Sequence, residues 1–186
     1  TDTQASVTID ETAGLQDDDV AGPLAVFAAV SNPSTDMLQY AQSDGALVSA
    51  AASDMGADEE GATVEFSLEV VGDGSTTLTT TDDEAISIAK EGDLIVGRDE
   101  GGNAVFAIAI NEDTGVVSVV QYESITNPTA PDDYDETTSL AGLVNAVVTV
   151  TDGDGDTDTD SVAIGDQIFF SDDGPTADIT DTQASV

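Results

Sequence analysis

The 186-residue chain contains no cysteine, no histidine and no tryptophan, and its only basic residues are Lys90 and Arg98. Without histidine or cysteine there is no imidazole base, no thiolate nucleophile, no disulfide and no ordinary zinc, haem or iron–sulfur site. Two cations cannot neutralise a phosphate backbone, and an anionic bilayer would repel the 39 acidic side chains. The composition therefore argues against nucleic acid and anionic membranes as partners, and leaves carboxylates as the main reactive groups.

The remaining composition is that of a folded domain. Hydrophobic residues make up 39% of the chain, and apolar runs such as 104–110 and 143–150 are foreign to disordered acidic tails. These runs are far shorter than a membrane span, which needs about 20 residues, so we expect no direct membrane insertion. No basic segment followed by an apolar core marks a signal peptide. The length fits one typical domain or two small subdomains.

The net charge of −37 has two readings. A strongly acidic surface keeps a protein soluble, and such surfaces are frequent in saline habitats. The alternative is binding of divalent cations. Aspartate outnumbers glutamate 28 to 11, and short carboxylates in loops suit calcium, whereas acidification of exposed helices would favour glutamate. The bias favours calcium.

The two ends of the chain carry the same heptapeptide. TDTQASV occupies residues 1–7 and again 180–186, an offset of 179 residues. The simplest explanation is one unit of a tandem array, with residues 1–175 as the repeat and 176–186 as linker and start of the next copy. Units of this size are beads joined end to end rather than solenoid repeats of about 20–50 residues. An array of beads is suited to spanning distance.

Strand patterns dominate the sequence from residue 63 onward. In 63-TVEFSLEVV-71, apolar and polar residues alternate as expected for a half-buried strand. The segments 104–110 and 116–122 flank 111-NEDTG-115, which predicts a hairpin with Gly115 at a positive φ. The predicted strands are 5–9, 24–30, 63–71, 76–81, 85–89, 93–97, 104–110, 116–122, 143–151 and 161–170.

Two stretches are less regular. The Ala-rich segment 45–61 is compatible with one short helix, and 123–140 is interrupted by Pro128 and Pro131 and is predicted to be a long loop. About ten short strands with frequent turns favour an all-β fold. We predict an immunoglobulin-like antiparallel β-sandwich elaborated with long loops.

The strongest local motif is 152-DGDGDTDTD-160, in which every second residue is an aspartate. Carboxylates so close together repel one another unless a cation neutralises them. Calcium accepts six to eight oxygens and tolerates irregular cages. The loop is not an EF-hand, because counting from Asp152 the sixth position is Thr157 and the twelfth is Ala163, where glycine and a bidentate glutamate are required. The alternative is a solvated acidic turn.

Two further acidic motifs lie near the ends of predicted strands. In 171-SDDGPTA-177, Asp172 and Asp173 precede a glycine and a proline at the predicted junction between repeats. Asp10 and Glu11 follow the first strand directly. In a sandwich whose first strand starts at one pole and whose last strand ends at the other, the Asp-rich loop would face the preceding repeat. A calcium site assembled from two neighbouring repeats is then geometrically reasonable.

Together these motifs resemble the long tandem repeats of very large bacterial adhesins of the repeats-in-toxin group, which are exported by type I secretion. The motifs that carry the resemblance are 9-IDETAGLQ-16, 55-MGADEEGA-62, 95-IVGRDEGGNAVFAIAINEDTGVVSVVQY-122, 147-VVTVTDGDGDTDTDSVAI-164 and 169-FFSDDGP-175. The resemblance implies calcium-rigidified extender modules that project a ligand-binding region from the outer membrane during surface attachment and biofilm formation. The Gly-rich nonapeptides that name the group are absent from this sequence.

The resemblance also implies which residues bind calcium. These would be Asp152, Asp154 and Asp156 in the loop and Asp172 and Asp173 at the joint, with Asp10 and Glu11 as additions. It further implies a secreted protein at the bacterial cell surface, anchored through other regions, with neighbouring repeats as partners. We expect an isolated unit to be monomeric.

Two other functions compete with a spacer. A ligand-binding adhesin domain could recognise glycan, peptide or ice, but aromatic residues are scarce and the Thr-x-Thr pieces do not recur at a fixed period. An enzyme acting through carboxylates alone needs only two acids about 5–9 Å apart, as in glycoside hydrolases. No pair stands out among the 39 acids, so we expect no enzyme.

Overall fold

The computed structural model describes residues 5–12, 14–56, 60–126 and 136–172. These residues form twelve β-strands and two single turns of 3₁₀ helix, at Ala25–Phe27 and Gly165–Gln167, so the predicted all-β sandwich is confirmed. No helix in these ranges is long and apolar enough to cross a bilayer. The strands are β1 (Val7–Asp10), β2 (Gln39–Ala46), β3 (Thr63–Val70), β4 (Ser75–Thr79), β5 (Ala85–Glu91), β6 (Leu94–Arg98), β7 (Ala104–Ile110), β8 (Val116–Gln121), β9 (Thr137–Ser139), β10 (Val144–Thr151), β11 (Thr157–Ala163) and β12 (Ile168–Ser171).

One layer of the sandwich is a six-stranded antiparallel sheet in the order β2-β8-β7-β6-β5-β4. Its centre is the predicted hairpin of β7 and β8. The Asn111 side-chain oxygen accepts hydrogen bonds from the Asp113 and Thr114 amides at 3.1 and 2.9 Å. Gly115 has a φ of 71°, which confirms the predicted positive-φ position.

The other layer is built on one long two-stranded ribbon. β9 pairs with β12, and β10 pairs with β11, both antiparallel. The two pairings share one register, from Thr137 opposite Ser171 at one end to Thr151 opposite Thr157 at the other. β1 lies beside β12, in parallel, and β3 lies beside β10. The turn at 152–156 closes one end of the ribbon. At the opposite end the Asp172 amide donates to the Glu136 carbonyl at 3.0 Å.

The ribbon is interrupted halfway, at residues 140–143 and 164–167. Gly165 packs there closely against the backbone of the opposite segment: a Cβ at this position would lie 1.9 Å from the Leu140 carbonyl oxygen. The flanking residues Leu140, Val144 and Ile164 are fully buried. The interruption therefore lies in the core of the sandwich.

The main core fills the space between the two layers. Phe106 of β7 and Phe170 of β12 meet with ring centroids 4.8 Å apart, joining the sheets at their centre. Apolar side chains of both layers surround this pair and include Ile9, Leu68, Ile86, Ile95, Ile108, Val119, Ile125 and Ile168. Burying these side chains provides the main driving force for assembling the sandwich.

A second core covers the outer face of the six-stranded sheet. The segment 20–38 crosses this face, and Phe27 packs there with Val96, Ala107 and Val120. The prediction of a strand at 24–30 is wrong, because this apolar run forms a 3₁₀ turn over the sheet instead of joining it.

Other boundaries also differ from the predictions. β2 and β9 were not predicted, and β9 lies within the segment 123–140 that was expected to be a loop. The described part of 45–61 contains no helix. The Asp-rich loop is shorter than expected because its last four residues already belong to β11, and β12 follows as a separate strand after the turn at 165–167.

Candidate cation sites

The turn 152–156 is organised by one carboxylate. Asp152 Oδ1 accepts hydrogen bonds from the amides of Asp154, Gly155 and Asp156 at 3.3, 3.0 and 2.9 Å. The Asp152 amide donates to the Asp156 carbonyl at 3.0 Å and closes the turn, and Gly155 takes a φ of 94°. Aspartate at the start and glycine at the left-handed position are the residue types that such a turn requires.

The turn brings three carboxylates together. One oxygen from each of Asp152, Asp154 and Asp156 lies within 4.8 Å of the others, and no second group of three acidic side chains meets this limit in the described ranges. A hydrogen bond with Asp152 and the negative charge of Asp152 raise the pKa of Asp154. The same hydrogen bond lowers the pKa of Asp152. The carboxylates thus hold negative charge at a spacing that a shared cation relieves.

The chemistry of this donor set fits calcium, which takes oxygen ligands in flexible geometry and completes its shell with water or carbonyl groups. A cavity of about 210 Å³ adjoins the turn, with Asp152 and Asp156 on one wall and Asp54, Met55 and Gly56 on the other. Asp54 is therefore a carboxylate of a distant segment that lines the same cavity as the turn. Its place opposite the turn was not predicted, because only the tertiary fold brings residues 54–56 there.

Asp158 and Asp160, the last acids of the Asp-rich motif, do not belong to the turn. Both lie in β11, where Asp158 Oδ1 accepts from the Thr159 amide at 3.0 Å and Asp160 Oδ1 accepts from the Ser161 amide at 2.8 Å. All seven residues of β11 are exposed. These two side chains therefore bond to amides at the outer edge of β11 rather than to the cluster of the turn.

The acids after β1 lie at the other end of the ribbon. The Glu11 amide donates to the Ser171 carbonyl at 3.1 Å, which brings the end of β1 beside the end of β12. Glu11 Oε1 accepts from Gln121 Nε2 at 2.5 Å and from the Ile125 amide at 2.9 Å. Burial raises the pKa of Glu11, and the charge of Asp172 adds to the effect.

Asp10 is buried, and its side chain forms a hydrogen bond with the backbone two residues further on. Its Oδ1 accepts from the Thr12 amide at 2.7 Å, and its own amide donates to Asp19 Oδ1 at 3.3 Å. Asp18 and Asp19 have similar roles. Asp18 Oδ2 accepts from the Thr8 amide and Asp19 Oδ2 accepts from Gln39 Nε2, and burial raises the pKa of both. These aspartates fix the segment after β1 to β2.

The predicted site residues therefore divide between two ends of one ribbon. The turn holds Asp152, Asp154 and Asp156, whereas Glu11 and Asp172 lie near each other at the far end. β10 is only one part of this ribbon, and its eight residues already span roughly 25 Å at about 3.3 Å per residue. The two ends of the ribbon are therefore further apart than this length. Asp173 lies outside the described residues. Contrary to the expectation for the first strand, β1 begins beside Ile168, halfway along the ribbon, rather than at the pole of the turn.

Sequence reasoning also missed a set of acids where several loops of the six-stranded sheet meet. Asp99 and Glu123 are both only 6% exposed. Burial raises the pKa of Glu123, and the nearby charges of Asp36 and Asp99 add to the shift. Burial opposes ionisation of Asp99, but hydrogen bonds from Asn103 outweigh it and lower the pKa. No local pattern predicts this group of acids, since its members come from separate loops.

Fold and geometry together define an all-β sandwich domain with acidic groups at both ends of its longest ribbon. A family model described as a domain of unknown function, DUF5801, matches residues 6–165. The match covers most of the chain, and the protein belongs to this family. None of the curated proteins and none of the solved structures matches the chain.

Proposed function

We propose that this domain is a calcium-stabilised spacer module, one bead of a tandem array that holds a distal binding region away from a surface. The observation that carries the proposal is the position of the carboxylate triad. Asp152, Asp154 and Asp156 occupy one tip of the ribbon, and Glu11 and Asp172 lie at the opposite end. In an array joined end to end, residues 173–186 would link Asp172 of one unit to β1 of the next. At about 3.3 Å per residue this link can span the half of the ribbon between β1 and the turn, so that the last acids of one unit approach the turn of the next.

Calcium would be held by the triad, and it would supply positive charge to carboxylates that otherwise repel one another. Asp152 Oδ1 orients the turn through its three amide hydrogen bonds, which leaves the carboxylates of Asp154 and Asp156 on the same turn as further ligands. Asp154 and Asp156 are exposed and available to a ligand from outside the domain. An oxygen from the preceding unit, such as its copy of Asp172, would complete the shell and fix the angle of the joint.

The heptapeptide shared by residues 1–7 and 180–186 supports the array, and the resemblance to repeats-in-toxin adhesins supports its setting. We place the parent protein outside the cell, exported by type I secretion and attached to the bacterial outer membrane through other regions. The parent would act in surface attachment and biofilm formation. The proposed role needs no catalytic residue and no partner other than neighbouring copies of the repeat.

Two copies of the 179-residue unit, joined end to end, test the proposal. Small-angle scattering with calcium should give a longer maximum dimension and a narrower distribution of shapes than scattering after chelation. Replacing Asp152, Asp154 and Asp156 of the second copy by asparagine should abolish this response. The same replacement in the first copy, whose turn faces no neighbour, is the matched control and should leave the calcium response of the joint intact. A joint that is equally flexible with and without calcium contradicts the proposal.

A further inference from the structure

An open cleft runs along one side of the sandwich, between β11 and the segment 48–56 that follows β2. Three adjoining cavities of about 290, 380 and 210 Å³ make up the cleft. They share residues, because Ser49 and Val148 line the first two cavities, and Asp54 and Val150 line the last two. The cleft is therefore continuous from the middle of the ribbon to the turn at 152–156.

The floor of the cleft is apolar and its outer rim is acidic. At the end far from the turn, Val48, Phe66 and Val162 form an apolar recess, and Val162 is 54% exposed. Toward the turn, Val148 and Val150 continue the floor while Asp158 and Asp160 line the rim. Neither Lys90 nor Arg98 lines these cavities, and the Arg98 guanidinium is paired with Glu91 at 2.7 Å.

The register of β11 sets this arrangement. Val162 pairs with Ala146, Asp160 with Val148 and Asp158 with Val150, so these three side chains of β11 lie on the face that looks into the cleft. Carboxylates on the inward face of a sheet are unusual, because this face normally buries apolar side chains. Along β11, the side chains on this face are therefore apolar at Val162 and acidic at Asp160 and Asp158.

Within the described part of the chain, no strand pairs with the outer edge of β11. The Thr159 and Ser161 amides donate to the carboxylates of the preceding aspartates, at 3.0 and 2.8 Å, rather than to another strand. β10 is the neighbour of β11 on its other side. An edge with this backbone pattern can accept an added strand, provided that the incoming chain engages the two carboxylates.

We propose that β11 and the cleft form a docking site for an extended, basic segment of another protein, which adds a strand to this edge. Charge decides the occupant. Two copies of β11 edge to edge would bring their Asp158 and Asp160 carboxylates together, and like charges opposite each other are destabilising. A strand with lysine or arginine opposite these residues gains two favourable cross-strand pairs instead.

The register also fixes the pattern of the segment. If residue i of an antiparallel incoming strand lies opposite Val162, residue i+2 lies opposite Asp160 and residue i+4 lies opposite Asp158. The recognised pattern is therefore apolar-x-basic-x-basic, with the apolar side chain in the recess of Val48 and Phe66. The residues that face the incoming strand are not the proposed calcium ligands, although the cleft ends at the turn that holds Asp152 and Asp156. Docking does not depend on tandem joints.

The probe is the capped peptide TVTKTKT, titrated into the ¹⁵N-labelled domain in calcium while amide chemical shifts are followed. The shifts should concentrate in residues 157–163 and 48–54. The D158N/D160N variant keeps the side-chain acceptors but loses both charges, and its affinity should fall roughly 2–30-fold. The variant D93N/D113N removes the same charge from exposed turns and should bind like the unmodified domain. The S161P variant removes the Ser161 amide, which points away from β10 and donates to the Asp160 carboxylate rather than to another strand. It should also weaken peptide binding, because the added strand loses this donor.

Two control peptides separate docking from charge attraction. TVTETET should not bind, and KKTTVTT, with the same charge but no alternation, should bind at least several-fold more weakly. Equal binding of TVTKTKT and KKTTVTT would overturn the proposal, as would an equal loss of affinity in D93N/D113N. Shifts confined to other surfaces, or self-association of D158N/D160N in place of lost peptide affinity, would overturn it as well.

Discussion

At the scale of single residues, the acidic side chains have distinct roles that the composition does not reveal. Asp152 builds a turn, Asp158 and Asp160 bond to a strand edge, and Asp99 and Glu123 are buried. The sequence predicts the first role, because alternating aspartates and glycines act locally. It cannot predict the burial of Glu123, which depends on loops that are distant in the chain.

Glu123 gives a prediction at this scale. Burial raises its pKa in the folded protein, so the folded state binds this proton more tightly than the unfolded state. The contribution to stability is then fully present below the unfolded pKa, about 4.3, and is lost as the pH rises through the raised folded value. Glu123→Gln resembles the protonated form. We expect it to raise the Tm at pH 7 by a few degrees, at roughly 2–4 °C per kcal/mol, and to leave the Tm unchanged near pH 4.

Thermal melts monitored by circular dichroism at several pH values check this prediction. Glu112→Gln is the matched control, because Glu112 is exposed in the turn between β7 and β8 and loses the same single charge. A gain of equal size in both variants would mean that general charge repulsion, rather than the burial of Glu123, sets the effect.

At the scale of elements, local pattern succeeded where one face of a strand packs on the core. β3, β7 and β8 follow from alternation or apolar runs. β2 was missed because its sequence, QYAQSDGA, contains few apolar residues and lies at the edge of its sheet. The apolar run 24–30 misled for the opposite reason, since its side chains cover the outer face of a sheet without entering it. Tertiary contacts outweighed local propensity in both cases.

The ribbon that joins the two ends of the molecule depends on the close approach at Gly165. A Cβ there would lie 1.9 Å from the Leu140 carbonyl oxygen, and a backbone atom cannot move aside as a flexible side chain can. Gly165→Ala should therefore destabilise the fold by about 1–3 kcal/mol, the usual range for overpacking. Denaturant unfolding measures the free energy. Gly45→Ala is the control, because a Cβ at Gly45 meets nothing within 4 Å, and its effect should stay within about 0.5 kcal/mol. A loss in Gly165→Ala no larger than about 0.5 kcal/mol, like that of the control, would show that Gly165 tolerates a side chain.

At the scale of the whole molecule, the net charge of −37 consists of surface charge and of local clusters that respond to different ions. Surface repulsion is relieved by any salt, because the Debye length falls from about 30 Å at 0.01 M to 3 Å at 1 M. The triad of Asp152, Asp154 and Asp156 responds to an ion that binds all three oxygens together. The two responses can therefore be separated in one domain.

Thermal melts of the single domain make this separation. Sodium chloride should raise the Tm gradually, whereas calcium should raise it at far lower ionic strength. At a calcium concentration 100 times the Kd, binding to the folded state alone adds about 2.7 kcal/mol, or roughly 5–11 °C. The D152N/D154N/D156N variant keeps the oxygen of residue 152 that accepts the turn's hydrogen bonds, so it should fold, lose the calcium increment and retain the sodium increment. If this variant gains as much from calcium as the unmodified domain, calcium acts through general screening or at other carboxylates such as Glu11 and Asp172, and the triad is not its site.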